Sequence, residues 1–434
     1  MIEIFSDLEK RGILYQITDP EFIKSQAKSS EKFKFYCGFD PTSRSLHIGS
    51  LLPLLTMRRL QLAGHTPILL VGGATGMIGD PSGKSDERQL LTPDVIALNI
   101  QGIQKVASQF LSFEGPNAAI VVNNLDWFKN FSFLDFLREV GKYATVNHML
   151  AKDSVKSRIE SRDHGISYTE FSYMLLQGYD FYHLYKNFDC TVQLGGSDQW
   201  GNITAGTDLI RRFNYKNDEQ AAAKNSIGMT MPLVTKADGK KFGKSETGTV
   251  WLDKESTSPY QLYQFLLQTS DEEVFKFLKY FSFKTYAEIE SIMSTHHQQP
   301  EKRFAQNQLA EDILTLVHGK EECVKAQQAS ASLFSTDLKN MTSEQFAIVF
   351  AEVPSSDLSL SQLQDKLTLV DILASSGLCA SKGAARKDIQ GGGIYVNDER
   401  VDDVLLQITE SHLLEGKKLL LRKGKKNYHL INFK

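Results

Sequence analysis

"FKFYCGFDPTSRSLHIGSLLPLLTMRRLQLAGHTPILLVGG" runs from Phe33 to Gly73, and its pattern decides the fold. Phe33 to Asp40 alternates and stops at Pro41, as a strand does. Leu51 to Gly64 carries the helical spacing of apolar residues, with Pro53 tolerable only in the first turn and Gly64 supplying a C-cap. Ile68 to Gly73, "ILLVGG", is a short apolar run that ends in glycines, the mark of a buried strand. Strand, helix and strand in close succession predict a parallel sheet.

Two more apolar strands follow, "AAIVVNN" (Ala118 to Asn124) and "CTVQLGG" (Cys190 to Gly196), with helical stretches between them. That rhythm predicts an α/β fold: a doubly wound, Rossmann-like parallel sheet. Ligands of such sheets bind at the carboxyl ends of strands. Tyr36 to Asp40, Gly72 to Asp80 and Gly195 to Gln199 all fall there.

After "DGKKFGKSETGTVWLD" the pattern from Ser258 to about Lys325 is helical, without strand signals. A polar stretch with one short helix follows, and from Leu367 two helices precede the strands "GIYVN" and "KKLLLRKGKKNYHLINF". The expected division is a sheet domain over 1–230, a loop and α-helical domain over 231–330, a linker over 331–362 and a small basic α+β domain over 363–434.

The bulk properties narrow the classes. A chain of 434 residues needs two to four domains, and 41% hydrophobic with 23% charged residues describes a globular protein. A net charge of −3 means that any polyanion site is a local patch. The four cysteines (Cys37, Cys190, Cys323 and Cys379) are scattered, which argues against disulfides or a zinc site and fits a reducing cytoplasm. No apolar run approaches a membrane span, so no membrane partner is expected.

Several motifs carry chemistry. His47-Ile-Gly-Ser50 opens a helix, where free N–H groups and the helix dipole favour a phosphate; the same residues also suit an ordinary capped helix start. Lys240, Lys241 and Lys244 crowd a loop with Gly239 and Gly243, which suits phosphate binding or a solvated basic loop. "SYMLLQGYDFYHLY" is a helix that places Tyr173, Gln177 and Asp180 on one face, as a polar site or as the rim of a packed helix. "GDPSG" makes Asp80 either a turn residue or a ligand. Met77 and Trp127 read as packing residues, and His65, His148, His164 and His183 form no metal-like spacing.

Together, "FDPTSRSLHIGS", "GGATGMIGDPSGK", "GGSDQWGN" and "KFGKS" resemble the class I aminoacyl-tRNA synthetases, in particular their bacterial tyrosyl branch. The resemblance covers nearly the whole chain. It implies ATP-dependent formation of a tyrosyl-adenylate with release of pyrophosphate, then transfer to the 3′ end of tRNA. By resemblance, Thr42 and His47 hold the leaving phosphates on one side, and Lys84, Arg88, Lys241 and Lys244 clamp them on the other. Cys37, Gly38, Asp40, Gly49, Ser50, Gly196 and Asp198 surround ATP, together with Lys241 and Lys244. Asp80, Tyr173 and Gln177 match positions that bind the ammonium of L-tyrosine, Tyr36 and Asp180 those that bind its hydroxyl, and Gln193 and Gln199 line the same pocket.

The resemblance also implies Mg2+ with ATP, no protein-bound metal or prosthetic group, and a homodimer. Two departures stand out: Ser50 replaces the second histidine of His-Ile-Gly-His, and Phe242-Gly243 replace Met-Ser of Lys-Met-Ser-Lys-Ser. "SKGAARKDIQGGGIYVND" is similar to a small RNA-binding module of a ribosomal protein and of pseudouridine synthases, making Ser381, Lys382, Arg386 and Lys387 candidate tRNA contacts. Residues 415–434 hold seven Lys or Arg against one acid, which by charge alone suits a solubilising basic tail or RNA binding, and the module ahead of it favours RNA. The rival whole-chain readings are a tryptophan-specific relative and a catalytically inactive RNA-binding relative.

Overall fold

The computed structural model describes residues 4–29, 31–82, 91–152, 155–156, 159, 165–216, 224–237, 239, 242–245, 248–334, 346, 349–350, 353–363, 366–414, 416–424 and 427–434. They form two compact units: Met1–Ser258 with Phe265–Val317, and Pro259–Gln264 with His318–Lys434.

The first unit is built on a six-stranded sheet of order β1-β6-β5-β2-β3-β4. The strands are β1 (Gln16–Ile17), β2 (Lys34–Phe39), β3 (Thr66–Val71), β4 (Ile120–Asn123), β5 (Cys190–Gly196) and β6 (Ile227–Met231). β2 to β6 are parallel, and β1 runs antiparallel along β6. All four strands expected from the sequence are present. β6 was not expected, because "IGMTM" is short and mixes glycine and methionine with its apolar positions. All five of its residues are nevertheless buried.

In β3, Ile68, Leu69, Leu70 and Val71 are at most 3% exposed, as expected for a strand covered on both faces. The helix Leu51–Leu62 is buried on most sides, because the helix Asp271–Phe281 packs against it. Strand order reverses between β2 and β5, the switch point at which open α/β sheets leave a crevice. Tyr36 of β2 and Gln193 of β5 are register partners there.

The segment from residue 259 to 334 is helical, with helices Pro259–Leu267, Asp271–Phe281, Tyr286–Gln298, Phe304–His318 and Lys320–Phe334. Ser270 with Glu273 and Thr285 with Glu288 form capping boxes that start two of them. This helical stretch is divided between the two units, with Phe265–Val317 in the first.

The second unit holds a five-stranded sheet of order β11-β10-β12-β13-β9. Its strands are β9 (Ser355–Leu358), β10 (Ile394–Val396), β11 (Glu399–Val401), β12 (Lys418–Lys423) and β13 (Asn427–Phe433). On one face Leu419, Leu421, Ile431 and Phe433 pack on the helices Leu369–Ser375 and Lys382–Gln390. On the other, Leu420 and Leu430 pack on Phe346 and Phe350. Residues 331–362, read as a linker, therefore contribute an edge strand and one face of the core. Successive residues of a strand point to opposite faces, so three buried leucines in a row at 419–421 require cover on both sides.

Candidate active site

The carboxyl edge of the first sheet collects most of the expected site residues. Tyr36, Cys37 and Gly38 lie in β2, Asp40 just past it, and Thr42 in the following turn, where its N–H donates to the Asp40 carbonyl at 2.8 Å. Gly72 follows β3, and a Cβ there would stand 2.1 Å from Asp40 Oδ1 and 2.4 Å from Thr75 Oγ1. Only glycine lets the backbone pass so close to that carboxylate. Gly196 ends β5 for a similar reason: a Cβ would stand 2.5 Å from Asp198 Oδ1. Cys37 is buried, which pushes its thiol up to about 12 and keeps it neutral.

Asp80, 7% exposed, lies after β3 and accepts from Gln199 Nε2 at 2.7 Å, Asn202 Nδ2 at 3.3 Å and the Ser82 N–H at 3.0 Å. Asn202 Nδ2 also lies 3.1 Å from Gln177 Oε1. The turn reading of Asp80 therefore holds, since one oxygen closes the turn, while the other faces Gln199.

A second chain of hydrogen bonds crosses the same edge. The Tyr173 hydroxyl donates to Asp40 Oδ2 at 2.7 Å, and Thr75 Oγ1 donates to Asp40 Oδ1 at 2.7 Å. Asn124 Nδ2 lies 2.9 Å from Thr75 Oγ1 and donates to Asp180 Oδ2 at 3.1 Å, while Trp127 Nε1 donates to Asp180 Oδ1 at 2.9 Å. Burial pushes the Asp180 carboxyl well above the usual carboxylate range; the bonds from Asn124 and Trp127 oppose this, and the Asp40 charge adds to it. Burial is also the main cause that raises the phenols of Tyr36 and Tyr173, with Asp180 and Asp40 respectively adding to it, so both stay protonated donors.

At the strand-order reversal, the Tyr36 hydroxyl and Gln193 Oε1, on residues 1% exposed, stand without a hydrogen-bond partner among the described residues. Leaving such a group unmet costs ~1–3 kcal/mol, so a pair on adjacent strands is a candidate for contacts with a polar ligand.

His47 stands before a short turn, Ile48–Ser50, that leads into the helix Leu51–Leu62, and a Cβ on Gly49 would meet its ring at 2.7 Å. Ser50 occupies the N-cap position but makes no side-chain cap bond, so the capping role that the sequence allowed is not used. The lysine loop returns along this signature: Ile48 N–H donates to the Val250 carbonyl at 2.9 Å, and Leu252 N–H to that of Leu46 at 2.9 Å. Motifs about 200 residues apart in sequence thus become neighbours. Lys84, Arg88 and Lys241 lie outside the described residues, and of Lys244 only the backbone is described, in the strand β7 (Lys244–Ser245) that pairs with β8 (Gly248–Thr249). Among the described residues, no group of three His, Cys, Asp or Glu is arranged to hold a metal, and no helix is long and apolar enough to cross a membrane.

Residues 28–335 match the family model of the class I tRNA synthetases (W and Y), and residues 345–431 match that of the tyrosine–tRNA ligase SYY-like C-terminal domain. The chain is 50% identical over 435 residues to tyrosine–tRNA ligase 1 of Bacillus subtilis, covering 100% of both chains. The chain belongs to the tyrosine–tRNA ligases. It is 51% identical over 434 residues to the tyrosine–tRNA ligase of Bacillus velezensis, again covering 100% of both. Among solved structures it is similar to a C-terminally truncated mitochondrial tyrosyl-tRNA synthetase of Aspergillus nidulans, with a TM-score of 0.69 and 31% identity over 77% of this chain and 95% of that one. Membership in the tyrosine–tRNA ligases makes the chain an aminoacyl-tRNA synthetase, an enzyme that uses ATP as a substrate.

Within this tyrosine–tRNA ligase fold, four polar residues of the network were not among the expected site residues: Thr75, Asn124, Trp127 and Asn202. Asn124 and Trp127 follow β4, at the same sheet edge as the others, and that position was the available signal. Trp127 does pack, stacked on His183 at 4.3 Å between ring centroids, yet its indole N–H serves Asp180.

In the second unit, Ser381 is the N-cap of the helix Lys382–Gln390, accepting from the Ala384 N–H at 3.2 Å. Lys382 pairs with Asp371 at 2.6 Å, while Arg386 and Lys387 stand exposed on that helix. The basic stretch is no free tail. Arg422, Lys423 and Lys434 lie 2.8, 2.7 and 2.5 Å from Asp398, Asp388 and Asp357.

Proposed function

We propose that this enzyme holds L-tyrosine and ATP at the switch point between β2 and β5, joins them as tyrosyl-adenylate, and passes the tyrosyl group to the 3′ end of its tRNA. One observation carries the choice of amino acid: the Tyr36 hydroxyl, unpartnered among the described residues, beside Asp180 and Gln193, all three buried. A phenol hydroxyl donating to Asp180 and accepting from Tyr36 satisfies both. Phenylalanine leaves the Tyr36 hydroxyl unmet, and an indole offers no hydroxyl, which disfavours the tryptophan-specific reading. At the other end, Asp80, Gln177 and Tyr173 form an acceptor-rich corner suited to the ammonium, with Gln199 holding Asp80.

In the first step a carboxylate oxygen of tyrosine attacks the α-phosphorus of ATP, the bond to the bridging oxygen breaks, and pyrophosphate leaves. No covalent enzyme intermediate is needed, so the protein contributes position and charge. Thr42, His47, Lys84, Arg88, Lys241 and Lys244 are proposed to hold the phosphates. Cys37, Gly38, Asp40, Gly49, Ser50, Gly196 and Asp198 are proposed to frame the nucleoside, with the glycines giving close backbone approach. Mg2+ would enter as part of the ATP substrate.

We further propose that Arg386 and Lys387 meet tRNA phosphates, with Lys382 changing its partner from Asp371 to RNA, and that the helical segment within 231–330 lies on the anticodon side. A homodimer is supported by exposed large apolar residues between 133 and 168: Phe133, Leu134, Leu137, Val146, Leu150 and Tyr168. Four buried cysteines, none in a disulfide, favour a cytoplasmic setting. Amino-acid-dependent ATP–pyrophosphate exchange tests the central reading: exchange with tyrosine and none with phenylalanine or tryptophan is expected. Exchange with tryptophan alone, or none in a folded sample, would refute it.

A further inference from the structure

The lysine loop departs from the class wording at Phe242-Gly243, and the structure gives both residues a mechanical task. Phe242 is 5% exposed, and its ring sits among Phe265, Phe277 and Phe281, with centroids 5.2, 4.5 and 5.8 Å away. Phe277 and Phe281 belong to the helix Asp271–Phe281. The same helix grips the entering stem of the loop: Lys276 Nζ donates to the Thr235 carbonyl at 2.9 Å, and Glu273 accepts from the Ala237 N–H at 2.5 Å. Inside the loop, Phe242 N–H donates to the Val234 carbonyl at 2.9 Å.

Gly243 comes next, with φ +101°, and a Cβ there would stand 2.5 Å from Ile48 Cγ2. A serine at this position would face both a backbone penalty and a clash with the His47-Ile-Gly signature. The Gly243 carbonyl accepts from the Val250 N–H, and the Val250 carbonyl accepts from the Ile48 N–H, both at 2.9 Å. The far end of the helix Asp271–Phe281 is tied back to the helix that follows the signature. Arg59, on that helix, donates to the Ser282 carbonyl, and Arg11 donates to the carbonyls of Lys279 and Ser282 at 3.2 Å. Signature, its helix, the aromatic helix and Phe242 thus close a ring of contacts.

We propose that Phe242 is a positioning residue: its ring, held in the Phe265–Phe277–Phe281 socket, presses Gly243 against Ile48 and thereby sets the Lys244 backbone beside the signature. This rests on the reading of Lys244 as a phosphate-binding residue. Fixing a charge in register before reaction lowers the barrier without changing how tyrosine binds. Loss of the socket therefore acts on the turnover of adenylate formation and leaves tyrosine affinity alone.

The test compares Phe242→Leu, Phe242→Met, Phe281→Leu, the Phe242→Leu/Phe281→Leu double variant and Lys244→Ala in the full-length enzyme. Exchange kcat, equilibrium tyrosine binding and thermal melts are read for each. Phe242→Leu and Phe281→Leu are each expected to lower kcat roughly tenfold, with tyrosine Kd within about twofold and the double variant no worse than the poorer single one. Phe242→Met, whose long flexible thioether can still reach the aromatic rings of the socket, is expected to stay within about threefold of the parent. Unchanged kcat in both leucine variants, alongside a collapse in Lys244→Ala, overturns the proposal while sparing the loop's phosphate role. An unchanged kcat in Lys244→Ala overturns that role and the proposal with it. A fall in tyrosine affinity parallel to kcat overturns the proposal too, since the residues would then only support the fold.

Discussion

The two sheets of this molecule handle polar groups in opposite ways. At the carboxyl edge of β2–β5, Asp40, Asp80 and Asp180 take hydrogen bonds from the neutral side chains of Thr75, Asn124, Trp127, Gln199 and Asn202. The network is buried and stops one partner short, at Tyr36 and Gln193. In the β9–β13 sheet, each of Arg422, Lys423 and Lys434 meets its own acid, and Arg422 also lies 3.7 Å from the Tyr395 ring centroid. Unmet polar groups on adjacent buried strands suit a site that a polar ligand completes. A surface that meets a polyanion satisfies its own fold and recruits exposed charges such as Arg386 and Lys387.

The largest expected effect separates the two regions outright. Ending the chain after Phe334 should lower tRNA charging roughly 100-fold or more while exchange stays within about twofold. The cut belongs before Phe346, because removal from residue 363 onward would leave Phe346 and Phe350 without the leucines they cover. Full charging by the shortened chain would break the comparison from the RNA side. Next, Asp180→Ala removes a buried acceptor and leaves the donors of Asn124 and Trp127 unmet. Tyrosine kcat/KM in exchange should fall roughly 100-fold with the ATP KM within about threefold; equal losses in both would mean that Asp180 supports the fold rather than the phenol.

A stability measurement sharpens the other side. Arg422→Met breaks a partly buried ion pair and a stack on two tyrosines, and should cost about 2 kcal/mol in urea unfolding of the second unit, with exchange unchanged. A loss of exchange there would contradict the separation of tasks. The smallest effect is expected at Ser50→Ala, about twofold to fivefold in exchange, since one neutral hydrogen bond is at stake. A loss as deep as that of His47→Ala would give Ser50 a role beyond binding.

Strand and helix identities around the site were legible because β2, β3 and the helix Leu51–Leu62 lie consecutively and each carries a clear period. The placement of Tyr173, Gln177 and Asp180 on one helix, and of Asp198 with Gln199 after β5, was legible too. β6, β9 and the cover given by Phe346 and Phe350 were not, because short strands and isolated aromatics make no period of their own. The same holds for Thr75, Asn124, Trp127 and Asn202, whose partners lie far along the chain.

By itself, then, the sequence determined the parallel sheet, the two signature motifs and the family, all of which depend on local periodicity or on residues that are neighbours in the chain. Only tertiary structure decided what each polar group faces. It gave Trp127 a hydrogen bond to Asp180, turned a basic stretch into paired strands, and left Tyr36 and Gln193 unmet beside each other. Hydrogen bonds and ion pairs act over a few ångströms in space, whatever the separation along the chain, so their partners exist only once the sheets have formed.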